Sequence, residues 1–264
     1  MAAGVPDGGG LATQLYHSHG IMVGETAMRE FCHRHDIRPC CPSYRFLRAD
    51  PARQATAREE LSALINADAG ECVLLSQDEA RFPLVPTLRT TLGVKGQRPV
   101  VGTWDNKDLV YAFAALEVVG GQLTTRLLDS PGQGHDRKSK TRRLQDAFAA
   151  HLRDIARRYT QQRYPRVVII LDNAPWHRGR LIATVLEAHP HLELYRLPSY
   201  SPELNIIERL WPVLRRRATH NRLFGTMAAL RWALRASLCY YQTLRHKMLS
   251  LIEGPGKVSK TGAA

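Results

Sequence analysis

VVIILDNAPWHRGR, residues 167–180, is the stretch that decides the fold. Five apolar residues, Val167 to Leu171, lead directly into Asp172, and the pattern then breaks at Asn173 and Pro175. A short continuous apolar run predicts a strand buried on both faces, as in sheets covered by helices. A buried carboxylate without a partner is costly, so we expect Asp172 to have a counterpart elsewhere in the chain.

The segments around this strand predict an α/β fold: a mixed sheet with helices on both faces. Antiparallel strands come first, and alternating strands and helices follow. The Gly120-Gly121 pair predicts a hairpin turn. The predicted strands are 72–79, 98–104, the two arms of 109–129, 166–172 and 192–198, and the predicted helices are 51–67, 140–159, 178–188 and 203–218.

The first part of the chain predicts a separate small unit. Residues 1–10 are rich in glycine and are expected to be disordered, and residues 11–39 read as helix, turn and helix. Gly20 and Gly24 would lie in the turn. This is either a partial helix-turn-helix (DNA-binding remnant), with only the last two helices, or a plain helical hairpin. The apolar inner face would consist of Ile21, Val23, Met28 and Phe31.

The predicted domain boundaries follow from these segments. They are a partial helix-turn-helix at 1–37, a linker and helix at 38–67, the main α/β domain at 68–245 and a disordered basic tail at 246–264.

Composition points to a polyanionic partner. The chain of 264 residues has 37 Lys+Arg against 24 Asp+Glu, a formal net charge of +13. Such a surplus favours nucleic acid through phosphate contacts, although a coding bias toward arginine is an alternative. The five cysteines show no zinc-binding spacing. No signal peptide or membrane span is recognisable, so we expect a cytoplasmic protein.

Three carboxylates are candidates for chemistry. Asp78 and Asp172 end two strands, and Glu208 lies beside the apolar stripe of the predicted helix 203–218. Each alone is ordinarily a solvated surface acid. Brought together, they would repel one another unless a cation held them, and such oxygen ligands suit Mg²⁺ or Mn²⁺, as a pair of ions.

The predicted helix 203–218 contains a proline. Pro212 lies four residues after Glu208 and cannot donate a backbone hydrogen bond. We therefore predict a kink or a helix end between Glu208 and Pro212.

Three blocks carry a family resemblance: QDEARFPLVPTLRTTLGVKGQRPVV, VVIILDNAPWH and LPSYSPELNIIERLW. They resemble the catalytic domain of DDE-superfamily transposases (DDE superfamily endonucleases) from bacterial insertion sequences, in the group related to mariner elements. The resemblance extends from about residue 40 to about residue 245. It implies an RNase H-like fold, divalent-metal catalysis, DNA cleavage at the element ends and strand transfer into target DNA.

The resemblance also assigns the acids. The first falls on Asp78, the second on Asp172 and the third on Glu208, with 35 residues between the last two. Glu79 is the local rival of Asp78, but side chains alternate along a strand, so only one can face the site. The chain departs from the family in having Ile206 where proline is usual and only the tail of a helix-turn-helix.

The predicted function is therefore DNA transposition, with metal held by Asp78, Asp172 and Glu208 and with support from Asn173, His177 and Asn205. The alternatives are a non-catalytic DNA-binding remnant of a transposase and an RNase H-like nuclease without transposition. The expected partners are double-stranded DNA (terminal repeats and target) and a second copy of the chain. The residues predicted to bind DNA are Arg137, Lys138, Lys140, Arg142, Arg143, Arg215 and Arg216.

Overall fold

The computed structural model describes residues 8–37, 46–66, 72–130 and 139–253. The chain divides into two compact units, residues 1–47 and 48–264. The predicted segment 38–67, a linker followed by a helix, is divided by this boundary, and its helix lies in the second unit. Arg137 and Lys138, two of the predicted DNA-binding residues, lie outside the described residues.

The first unit is a pair of helices, α1 (Gly8–His19) and α2 (Glu25–Arg34), which contact each other. Gly20 follows α1 with a φ of +68°, a conformation that glycine adopts without strain. The predicted inner face is wrong in part: Met28 is buried, but Ile21 and Phe31 are half exposed. Two helices alone offer too little surface to bury both residues. The prediction of disorder through residue 10 is also wrong from Gly8 onward.

The second unit contains five strands and six helices in its described residues. The strands are β1 (Cys72–Pro83), β2 (Leu109–Glu117), β3 (Leu123–Ser130), β4 (Arg166–Leu171) and β5 (Leu192–Arg196). The helices are α3 (Pro51–Asn66), α4 (Lys140–Arg158), α5 (Arg180–Ala188), α6 (Leu210–Ala218), α7 (Met227–Thr243) and α8 (Arg245–Glu253). Short 3₁₀ turns lie at Pro175–His177, Pro202–Leu204 and Ile206–Arg209.

The sheet is mixed, in the order β3-β2-β1-β4-β5. β1 is antiparallel to β2 and parallel to β4, and β4 is parallel to β5. Gly121, with a φ of +66°, lies in the predicted turn between β2 and β3. The predicted strand at 98–104 is wrong, since these residues are not in a strand. β2 and β4 pair with the two edges of β1, so residues 98–104 cannot pair with β1.

Helices cover both faces of the sheet, which confirms the predicted α/β architecture. One face packs against α4 and α5, in a core that includes Phe113, Phe148 and Ile169. The other face packs against α6, α7 and α8, around Phe82 and Leu214. β4 is the central parallel strand, and its residues from Val167 to Leu171 are all buried. This burial explains the apolar run, because each such side chain stabilises the fold by roughly 1.5–3 kcal/mol.

The predicted break before Pro212 is confirmed. Instead of one helix over 203–218, the chain forms two 3₁₀ turns and begins α6 at Leu210. Pro212 therefore lies in the first turn of α6, where a backbone N–H would have no partner within the helix.

Pro212→Ala should consequently change the free energy of unfolding by less than about 1 kcal/mol, since no helical hydrogen bond is regained. Arg216→Pro, an exposed position deeper in α6, should cost about 3 kcal/mol. Urea denaturation of both variants measures the difference. Equal costs would contradict this placement of Pro212.

The tail predicted to be disordered begins as a helix. α8 extends to Glu253, and Arg209 donates through Nη1 to the carbonyl oxygens of Leu251 (3.2 Å) and Ile252. The prediction is wrong for residues 246–253, because apolar side chains such as Met248 are buried against the sheet's α6 face. In the described parts of the chain, no helix has the length and apolarity to span a bilayer.

Candidate active site

The register of the two parallel strands brings the first two acids to the same level of the sheet. The last registered pair between β1 and β4 is Ser76 with Ile170. Asp78 and Asp172 each lie two residues farther along. Because side chains two residues apart share a face, both acids are placed on the face covered by α6.

The third acid is brought to this edge by a 3₁₀ turn attached to β1. Asn205 donates through Nδ2 to the Gln77 carbonyl oxygen at 2.9 Å, and the Ile207 backbone N–H donates to Ser76 Oγ at 3.0 Å. Ser76 Oγ in turn donates to Asn205 Oδ1. These bonds hold the turn that carries Glu208 next to the end of β1.

Asp78 and Glu208 line one cleft of about 500 Å³, together with Trp211 and Arg215. Burial, the largest cause, and the neighbouring carboxylates Glu79 and Glu208 together raise the pKa of Asp78 to about 7, against the hydrogen bond from Trp211. Trp211 donates through Nε1 to Asp78 Oδ2 at 2.8 Å. The pKa of Glu208 is also raised, by burial and then by the charge of Asp172. Glu208 therefore couples the three acids electrostatically, because its charge acts on Asp78 and the charge of Asp172 acts on it.

Asp172 makes its hydrogen bonds through one carboxylate oxygen. Its Oδ1 accepts from the Ala174 backbone N–H at 2.9 Å and lies 3.1 Å from His177 Nδ1. The hydrogen bond with His177 lowers the pKa of Asp172 although burial opposes this shift. The carboxylate is half exposed and ionised at neutral pH.

His177 is completely buried between two carboxylates. Its Nε2 lies 2.9 Å from Glu79 Oε1, and the Glu79 side chain is only 5% exposed. Burial disfavours the charged ring, but the hydrogen bonds with Asp172 and Glu79 outweigh it and raise the pKa of His177 to about 9. The imidazole is therefore a cation that bridges Glu79 and Asp172.

Glu79 and Asp78 face opposite sides of β1. Asp78 contacts Trp211 of α6, whereas Glu79 contacts His177, whose ring packs on Phe148 of α4 at 4.4 Å between centroids. Sequence reasoning treated Glu79 only as a rival of Asp78 and missed this pairing with His177. Strand alternation was the available signal, because it places Glu79 on the α4 face.

The other two predicted support residues lie in backbone contacts. Asn173 donates through Nδ2 to the Leu197 carbonyl oxygen at 2.6 Å, and Asn205 is buried against β1. Both amides therefore fix segments that carry or border the acids.

Two arginines near Asp172 were not predicted. Arg196 is paired in register with Leu171, the residue before Asp172, and donates through Nη2 to the His177 carbonyl oxygen at 2.9 Å. Arg178 donates to the Asn173 carbonyl oxygen at 3.0 Å. Burial and then the charge of Arg178 lower the pKa of Arg196. Only the pairing of β5 with β4 reveals this position.

The predicted DNA-binding arginines and lysines differ in their surroundings. Arg215 lines the cleft, lies 4.6 Å from the centre of the Phe82 ring and donates to the Arg81 carbonyl oxygen at 2.9 Å. Arg216 is exposed on α6. The remaining three, Lys140, Arg142 and Arg143, lie at the start of α4. Arg142 pairs with Asp146, and Arg143 donates to Ser130 Oγ.

The chemistry of this edge fits a hard divalent cation. Three carboxylates supply oxygen donors, two of them have raised pKa values that a cation would lower, and Asp172 Oδ2 has no hydrogen bond among the described residues. Within those residues, no three His, Cys, Asp or Glu side chains stand close enough together to hold a metal ion as positioned. The three carboxylates are thus the right type of ligand for a divalent cation.

Comparison with known proteins identifies relatives of this unit. The profile of the family described as DDE superfamily endonuclease matches residues 73–231, which is more than half of the chain. The chain is 25% identical over 203 residues to the insertion element IS630 uncharacterized 39 kDa protein of Shigella sonnei, covering 75% of this chain and 52% of that protein. It is 34% identical over 79 residues to the uncharacterized protein y4pE/y4sA of Sinorhizobium fredii, covering 30% of this chain and 54% of that protein. The chain thus spans about half the length of these curated relatives.

Solved structures share the fold. The Mos1 mariner paired-end complex with Mn matches with a TM-score of 0.62 at 20% identity, covering 94% of this chain and 73% of that chain. The catalytic domain of Mos1 mariner transposase matches with a TM-score of 0.52 at 20% identity, covering 81% of this chain and 95% of that chain. The likeness shows an RNase H-like fold, as the sequence resemblance implied.

Proposed function

Since the chain belongs to the DDE superfamily endonuclease family, we propose that it is a transposase that cleaves DNA at the ends of an insertion element and transfers the strand into target DNA. The relatives support this proposal, because one belongs to an insertion element and the matched structures are of a mariner transposase. The site of action would be the DNA of the bacterial cytoplasm.

The observation that supports the proposal is that β1 and β4 are in parallel register up to Ser76 and Ile170, two residues before Asp78 and Asp172, with the turn that carries Glu208 attached to β1 through Asn205. Acids with these sequence positions are the ones that the family resemblance assigns to catalysis. Their placement at one sheet edge is what a shared metal site requires.

Asp78, Asp172 and Glu208 would hold Mg²⁺ or Mn²⁺, with two ions as the proposed number. Bound divalent ions would supply an activated nucleophile and would stabilise the leaving oxygen of the phosphodiester. The protein's own contribution is to fix the acids. Trp211 orients Asp78, His177 and the Ala174 N–H orient Asp172, and Asn173 and Asn205 hold the neighbouring backbone.

Double-stranded DNA is the proposed partner, bound through phosphate contacts. Arg215 is the best placed of the predicted cations, because it lines the cleft with Asp78 and Glu208. Lys140, Arg142, Arg143 and Arg216 would extend the contact along the backbone. A second copy of the chain would bring two element ends together, as the paired-end complexes of Mos1 suggest.

Arg215→Gln should weaken DNA binding uniformly across sequences and reduce the salt dependence of log K by about 1. Arg235→Gln is the matched control, since Arg235 lines a separate cleft beside Arg126 and Cys239. Fluorescence anisotropy with a labelled duplex over a series of salt concentrations measures both slopes. An unchanged slope for Arg215→Gln would exclude it from the phosphate contacts.

The function is tested by incubating the full chain with a plasmid that carries the inverted repeats flanking its gene. Cleavage at the repeat ends that requires Mg²⁺ or Mn²⁺ and stops with a chelator is expected, followed by joining to target DNA. Cleavage without joining would favour an RNase H-like nuclease. DNA binding without cleavage would favour a non-catalytic remnant.

A further inference from the structure

We propose that Glu79 is a positioning residue for the metal site, acting through His177: the buried hydrogen-bonded series Glu79–His177–Asp172 fixes the orientation of the Asp172 carboxylate toward the place where a cation would bind. The inference rests on the proposed function, because it assumes that Asp172 binds a divalent ion. It assigns a role to an acid that the three-carboxylate scheme leaves unused.

The hydrogen bonds and packing around His177 prevent its ring from rotating. Its two ring nitrogens lie 2.9 Å from Glu79 Oε1 and 3.1 Å from Asp172 Oδ1. The ring packs against Phe148 at 4.4 Å and Trp176 at 5.8 Å between centroids. A rotation that broke either hydrogen bond would leave a buried N–H without a partner, which is unfavourable.

Glu79 is itself held in place. Gln77, two residues earlier on the same face of β1, donates through Nε2 to Glu79 Oε1 at 2.9 Å. Strand β1 also carries Asp78, so one strand fixes the first acid directly and the second acid through His177. The two metal-binding acids are thereby linked through one rigid element.

Glu79 completes the hydrogen bonding of His177. Without it, the buried Nε2 of His177 would lose its partner and the ring would be held at Asp172 alone. With both hydrogen bonds made, the ring is held from two sides, and the half-exposed Asp172 carboxylate keeps one orientation. Apolar side chains would fill this core at lower cost than a buried ion pair, so a purely structural role does not explain it.

The inference is tested by the affinity of the full chain for Mn²⁺. Electron paramagnetic resonance measures this affinity from the loss of the free-ion signal. Glu79→Leu removes the acceptor of His177 Nε2 and so releases the ring, and we expect the Mn²⁺ affinity to fall by about 10-fold or more. Glu79→Gln keeps a side-chain oxygen that can accept from His177 Nε2. We expect it to retain affinity to within about threefold of the unchanged protein.

Two further variants distinguish a failure of the positioning role from a failure of the proposed function. His151→Leu is the matched control, because His151 is fully buried beside Phe113 on the same face of the sheet and neither of its ring nitrogens has a hydrogen bond in the described residues. It should leave the Mn²⁺ affinity unchanged. Asp172→Asn should remove binding at this site.

The outcomes are distinct. If Asp172→Asn loses Mn²⁺ while Glu79→Leu binds normally, the positioning role is overturned and the metal-dependent function stands. If Glu79→Gln binds as weakly as Glu79→Leu, the hydrogen bond from His177 to Glu79 is overturned as the reason. If Asp172→Asn binds Mn²⁺ normally, the proposed function fails and takes this inference with it.

Discussion

Asp78→Asn is expected to make the metal-free protein more stable and the enzyme inactive. Asp78 is buried in the cleft beside Glu79 and Glu208, and burial is the main cause that raises its pKa from 3.8 to about 7. Ionising it in the folded chain is therefore unfavourable without a cation. The asparagine can still accept the hydrogen bond from Trp211 and carries no charge.

The pH dependence has a definite sign. Between pH 3.8 and about 7 the folded chain keeps a proton on Asp78 that the unfolded chain has released, so the free energy of unfolding falls as the pH rises. Asparagine does not titrate. The gain in stability of the variant should be absent below this window, grow through it and reach about 2–4 kcal/mol above it.

Urea denaturation of the metal-free protein across this pH range measures the gain. Asp129→Asn is the control, since Asp129 is partly exposed and pairs with Arg231 at 2.8 Å. That variant should be slightly less stable. A variant at position 78 that is destabilised at neutral pH would show that Asp78 is compensated without metal.

Activity should move in the opposite direction. With Asp78 in its proposed role as a metal ligand, its loss removes several kcal/mol of transition-state stabilisation, so cleavage should fall by at least about 10³-fold. Cleavage near the original rate in Asp78→Asn would exclude Asp78 from the metal site.

Asn205→Ala should have the largest effect on the attachment of Glu208. The Asn205 side chain is buried, donates to the Gln77 carbonyl oxygen and accepts from Ser76 Oγ. Alanine would remove the Asn205 donor from the Gln77 carbonyl oxygen and the acceptor from the Ser76 hydroxyl, at a cost of about 2–4 kcal/mol in the free energy of unfolding. The 3₁₀ turn would also lose its side-chain attachment to β1, so cleavage should fall together with Mn²⁺ affinity.

Glu203→Ala is the control for this variant. Glu203 lies on the preceding 3₁₀ turn, where it forms an exposed ion pair with Arg58 at 3.6 Å. Its removal should cost less than about 1 kcal/mol and leave metal affinity unchanged. If Asn205→Ala unfolds with the same midpoint as this control, the network around Ser76 does not hold the turn.

Local sequence patterns were sufficient to predict secondary structure where a segment's own residues determine it. The β2–β3 hairpin, β4, α3 and α4 form where turn glycines, apolar runs and helical spacing predicted them. The break before Pro212 also follows from one residue's missing N–H. The predictions failed for residues 98–104 and 246–253, because pairing at a sheet edge and packing on a distant face are not encoded in local spacing.

By itself the sequence determined the α/β fold and nominated Asp78, Asp172 and Glu208, because strand periodicity and motif order are properties of the chain. Only the tertiary structure decided which face each acid occupies and what surrounds it. The register of β1 with β4 aligned Asp78 and Asp172. Burial and packing between β1 and α4 turned Glu79 and His177 into a bridged pair. These effects depend on distances between segments remote in sequence, so no local pattern could reveal them.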